Sequence, residues 1–143
     1  GPAQAVAAGD ASSFAALAAA ISDLKCDASR EFASVTAVHS MLDSHDVLQS
    51  AALGLLSERR VCLPFAQTRD GFICAEAAVS LLLSRDDVLS ARNLRSIVSV
   101  MGMEYRQCGR RRLEYCSVAH QRDCIQGALR KAGVAAQEVV YVE

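Results

Sequence analysis

The sequence predicts an α/β protein in which helices cover a buried, largely parallel sheet. Helix-forming stretches alternate along the chain with short runs of β-branched and apolar residues, the order that produces strand–helix–strand units. The hydrophobic content, 52% of 143 residues, comes mostly from alanine and valine, with no tryptophan, four phenylalanines and three tyrosines. Small side chains suit layers packed close together, whereas small self-standing modules lean on large aromatics. The mean hydropathy is +0.19, yet a domain of this length buries only about two-thirds of its unfolded surface. Apolar surface is therefore expected to meet another chain.

The elements follow in order. Phe14, Leu17, Ile21 and Leu24 form an apolar stripe at the spacing of a helix face, so the first helix runs through them. Asp10, Ser12 or Ser13 is placed to cap it. Residues 31–38 are β-branched enough for a strand. Asp43 or Ser44 opens a second helix over residues 46–56, which fades at Ser57-Glu58-Arg59-Arg60. Residues 72–83 are nearly continuously apolar and read as a strand buried on both faces. Residues 96–101 read as another strand. A last helix spans residues 118–132 and ends at Gly133, and residues 137–142 form a final strand. No repeat or linker interrupts the chain, so residues 1–143 read as one segment.

Charge and cysteine placement narrow the function. Fifteen Lys and Arg against sixteen Asp and Glu leave a net charge of −1, which argues against nucleic-acid or acidic-membrane partners, because phosphate binding needs a basic surplus. No stretch of about 18 residues is free of charge, as a membrane span requires. No basic segment precedes the apolar run at residues 15–21, so it does not read as a secretion signal. The expected location is intracellular and the six cysteines are expected as free thiols in a reducing compartment. None of them forms a CxxC pair, which disfavours zinc ribbons and redox pairs. Cys116, His120 and Cys124 stand four residues apart, with Cys108 upstream. A helix would bring them to one face, making them a weak candidate metal site, although cysteines facing a core give the same pattern. No metal and no cofactor is expected.

Arg69-Asp70-Gly71-Phe72-Ile73-Cys74-Ala75-Glu76-Ala77-Ala78, preceded by Pro64-Phe65, resembles the P-F-D-x-x-R-D-G-F-V-x-G-E-G-A signature of β-ketoacyl synthases. Upstream, Gly1-Pro2-Ala3 through Asp10-Ala11-Ser12-Ser13-Phe14 is similar to the family's G-P-x-x-x-x-D-T-A-C-S-S-S-L. That parallel makes Gly1-Pro2 readable as native, the other reading being a protease-cleavage scar. Downstream, the stretch from Ala119 to Leu129 resembles a late family helix. Val140-Tyr141-Val142-Glu143 resembles the residues before an A-H-G-T-G-T motif. The likeness to ketosynthases of modular type I polyketide synthases runs along the whole chain. It implies part of a thiolase-like, layered αβαβα fold with a mostly buried mixed sheet, incomplete in these residues.

The resemblance also implies a chemistry. Ketosynthases load an acyl group onto a cysteine at a helix N-terminus, where the dipole favours the thiolate. Two histidines then assist decarboxylation of a carrier-bound extender and the condensation. Laid onto this sequence, the nucleophile position falls on Asp10, and a carboxylate is a poor acceptor for a thioester acyl group. Asp10 reads more readily as a helix cap. The family's histidine motifs lie past Glu143, and none of His39, His45 or His120 falls on a matching position. Where the family has an N-Q-D-G loop, this chain carries Arg106, Arg110, Arg111 and Arg112. They are candidates to meet the phosphate of a phosphopantetheine arm or an acidic acyl carrier protein, or simply a solvated loop.

Ala75 and Ala77 replace family glycines and imply looser packing or a shifted strand. Glu76, set in an apolar run, needs a partner, expected outside this chain. Three readings follow. One is a degenerate or fragmentary ketosynthase, catalytically inactive alone. Another is a structural subunit that completes a thiolase-like assembly, homo- or hetero-oligomeric. The resemblance implies that its contact edge is the strand with Phe32 and Val38 at its ends, which in the family pairs across a homodimer two-fold. The last is an independent enzyme using Asp10 or the Cys116, His120 and Cys124 cluster.

Overall fold

The computed structural model describes residues 1–106 and 117–143. The chain divides into two compact units, Gly1–Arg92 and Asn93–Glu143.

The first unit is built on a helix α1 (Ser12–Cys26), a strand β1 (Phe32–His39), a short helix α2 (His45–Ala52), a strand β2 (Ala77–Ser84) and a helix α3 (Asp86–Ala91). Helix α1 lies against β1. Leu24, Val35 and Val88 are the buried apolar residues. Along β1, Ala33, Val35 and Ala37 are less exposed than Ser34, Thr36 and Val38, the period-two pattern of a strand with one covered face. Arg85 ties these elements together. Its Nη1 donates to Leu24 O at 3.1 Å and Arg30 O at 2.6 Å, and its Nη2 donates to Ala28 O at 3.3 Å. One guanidinium thereby satisfies carbonyls at the end of α1 and in the turn that follows.

The described strand pair is antiparallel, which departs from the largely parallel sheet read from the alternation of elements and fits the mixed sheet that the resemblance implies. β1 and β2 pair antiparallel, with Phe32 opposite Ser84 and His39 opposite Ala77. Glu76 supplies the reason: its Oε1 accepts from Met41 N at 2.6 Å and from Ser40 Oγ at 3.0 Å. The chain therefore enters β2 beside the point where it left β1, and must run back along it. The expectation of an outside partner for Glu76 is corrected by the same two bonds. They hold its carboxyl below the usual range, Met41 N–H contributing most. β2 also starts five residues later than expected, and its residues 77–82 are exposed rather than buried on both faces. Among the described residues the sheet has only two strands, so most of the apolar run has nothing over it.

Helix α2 stops at Ala52, short of the expected residue 56. Gly54 takes φ +66, and Gly54 N donates to Ala51 O and Leu55 N to Ser50 O, closing the helix C-terminus. The freed chain at Leu56 forms a bridge with Phe72, through Phe72 N to Leu55 O at 3.0 Å and Ser57 N to Phe72 O at 2.9 Å. These bonds close a loop over residues 57–71. Inside it, Ser57 Oγ donates to Asp70 Oδ1 at 2.8 Å and Arg59 Nε donates to Asp70 Oδ2 at 3.1 Å. Arg59 also donates to Thr68 O. The two side chains push Asp70 down to about 2, the Arg59 bond contributing most.

The second unit centres on helix α4 (Val118–Ala132), which starts and ends near the expected residues. Ser117 Oγ accepts from His120 N at its N-terminus. Gly133 takes φ +67 at its C-terminus, with Gly133 N bonded to Arg130 O and Val134 N to Leu129 O. The segment before the undescribed residues packs against α4 through two glycines. A Cβ on Gly102 would lie 2.5 Å from Ala128 O, and one on Gly127 would lie 2.8 Å from Glu104 Cγ. Glu104 accepts from Lys131 Nζ at 2.7 Å and from Arg106 Nε at 3.3 Å, which lowers its pKa, the Lys131 bond contributing most.

The two strands expected here do not form. Residues 96–101 have no regular structure, and residues 137–142 give only a 3₁₀ turn at Ala136–Glu138 followed by extended chain. Ile97 and Val140 are almost fully exposed. Their β-branched composition suits a strand, but a strand exists only against a neighbour.

Candidate functional site

The site that the sequence singles out lies at the N-terminus of α1. Gly9 adopts φ +57, a left-handed conformation that glycine reaches without a Cβ penalty. This folds residues 8–11 into a turn, with Ala11 N bonded to Ala8 O and Ser12 N to Gly9 O. The first helical N–H groups are thus met by backbone carbonyls. The N-cap is Ala11 and no side chain caps the helix, so the expectation that Asp10, Ser12 or Ser13 caps α1 is corrected. The Ser12 hydroxyl is engaged elsewhere: it donates to Gly9 O at 2.6 Å and accepts from Ala8 N at 2.8 Å, locking the turn to the helix. Asp10 follows Gly9 and is exposed.

A groove of about 1140 Å³ opens beside this turn. Asp10, Ser12 and Ser13 stand at one part of its wall and the whole of β1 forms another. His39, which falls on no family histidine position, also lines it. His39 lies close enough to Glu76 to help lower that carboxyl. Sequence order hid this placement, because only the return of the chain through β1 brings residue 39 to the same groove as residue 10.

The signature residues sit elsewhere. Asp70 closes the loop over residues 57–71, as described above. Arg69 Nη1 donates to Ala66 O at 3.2 Å. Phe72 makes the bridge to Leu56. Gly71 is required by space, since its added Cβ would lie 2.5 Å from Leu56 C. Arg69, Asp70, Gly71, Phe72 and Glu76 therefore act here on loop and sheet geometry, and none lines the groove that holds Asp10.

In the second unit, Arg106 is drawn to Glu104. Arg110, Arg111, Arg112 and Cys116 lie outside the described residues. The remaining two members of the metal candidate are already engaged: His120 Nδ1 is 2.6 Å from Ser117 Oγ, and Cys124 Sγ donates to Glu104 O at 3.4 Å. Among the described residues no group of three His, Cys, Asp or Glu side chains is placed to hold a metal ion. No helix of the described residues is long and apolar enough to cross a membrane.

Comparison with known proteins returns one family. The sequence model described as β-ketoacyl synthase, N-terminal domain, matches residues 1–88. No curated protein matches the sequence. Among solved structures, the chain is similar to the oxazolomycin ketosynthase domain OzmH KS7 of Streptomyces albus JA3453, at 27% identity and a TM-score of 0.82 over 93% of this chain and 24% of that one. It is similar in fold to a β-ketoacyl synthase from Burkholderia phymatum STM815, at 20% identity and TM-score 0.78 over 92% of this chain and 33% of that one. A third similarity is to the AntDE:AntF complex, described as a type II polyketide synthase acyl-carrier protein with its ketosynthase bound to the hexaketide. Identity there is 22% and TM-score 0.72, over 89% of this chain and 33% of that one. The chain thus spans a quarter to a third of the length of these solved chains, as an incomplete part of a thiolase-like α/β fold. With a family match over more than half its residues and a ketosynthase backbone along nearly all of them, the chain belongs to the β-ketoacyl synthase family.

Proposed function

We propose that this chain is a degenerate ketosynthase segment that contributes structure, not condensation chemistry, to a larger thiolase-like body in polyketide or fatty-acid synthesis. The observation that carries this reading is Asp10. It occupies the turn that leads into α1, the place the resemblance assigns to the acyl-accepting cysteine. A carboxylate attacking a thioester would give a mixed anhydride, which is less stable than the thioester it came from. Ser12, the nearest hydroxyl on the helix, is bonded on both sides to backbone. The chain is accordingly a pseudoenzyme by itself.

Three further features complete the reading. The chain joins its body as a homo- or hetero-oligomer through β1, between Phe32 and Val38, whose edge away from β2 is open among the described residues. Arg106 with Arg110, Arg111 and Arg112 meets the phosphate of a phosphopantetheine arm or an acidic acyl carrier protein, a partner class represented in the AntDE:AntF complex. The protein works inside the cell, where its thiols stay reduced.

The test is direct. Incubation with radiolabelled acyl-coenzyme A or acyl carrier protein should leave no covalent label at residue 10, and malonyl thioesters should not be decarboxylated. Label that disappears in Asp10→Ala would overturn the reading. Label that persists in Asp10→Ala would point instead to one of the six cysteines.

A further inference from the structure

We draw no further inference here: the strongest candidate, the exposed patch on the loop over residues 57–71 where Arg60 and Phe65 both hold left-handed backbone, carries nothing, because nothing in the structure shows what covers it.

Discussion

Gly71 offers the most decisive perturbation of the fold. It lies where the loop over residues 57–71 closes, between Asp70 and the Leu56–Phe72 bridge. An added methyl group would lie 2.5 Å from Leu56 C, 2.6 Å from Leu55 O and 2.6 Å from Ser57 N. All three atoms are backbone, so none can rotate away. Overpacking of this kind costs about 1–3 kcal/mol. The φ of +152 at Gly71 belongs to a region that side chains avoid, which adds about 1–3 kcal/mol. Gly71→Ala should therefore lose about 2–6 kcal/mol, a large part of the 5–15 kcal/mol or so that holds a typical domain together. Gly9→Ala is the control. Gly9 also has positive φ, +57, but nothing lies within 4 Å of its added Cβ, so its cost is the left-handed backbone alone, about 1–2 kcal/mol. Urea unfolding followed by circular dichroism measures both variants. Tryptic cutting at Arg59 and Arg60, inside the loop, gives a local reading that should accelerate in Gly71→Ala only. If Gly71→Ala proved no more costly than Gly9→Ala and the loop no more easily cut, the steric argument would be wrong.

Two further outcomes follow from the same contacts. Asp70 is held near 2 in the folded chain against an ordinary value of 3.8, so its stabilising contribution is complete above pH 3.8 and is lost as pH falls from there through about 2. Asp70→Asn should flatten the pH dependence of the unfolding midpoint across that window. Arg85→Ala would leave Leu24 O, Ala28 O and Arg30 O without their donor, at a cost of about 1–3 kcal/mol. Arg85→Lys should recover only part of it in thermal melts, because an ammonium cannot reach the three carbonyls as the planar fork does.

Local patterning was legible where an element satisfies itself. The stripe through Phe14, Leu17, Ile21 and Leu24 placed α1, and Gly133 marked the end of α4, because helix hydrogen bonds and caps are made within a few residues. Strands were less legible. Residues 32–39 became β1, but residues 96–101 and 137–142, equally β-branched, found no neighbour among the described residues and remained without strand structure. The hydroxyls around Asp10 misled for a related reason: Gly9 in left-handed conformation let backbone carbonyls meet the helix N-terminus, so side-chain capping was not needed.

The family likeness was contained in the order of residues alone, in the Arg69-to-Ala78 signature and in the Gly-Pro approach to Asp10, because motif residues keep their spacing whether or not the surrounding sheet is present. Tertiary structure alone decided three things. Glu76 turns the chain back at Ser40 and Met41, which makes the sheet antiparallel. The loop closure at Leu56 and Phe72 makes Gly71 indispensable. His39 and Asp10 come to line one groove. Each depends on residues far apart in sequence meeting in space, and pairings at that range leave no periodic trace in the chain that makes them.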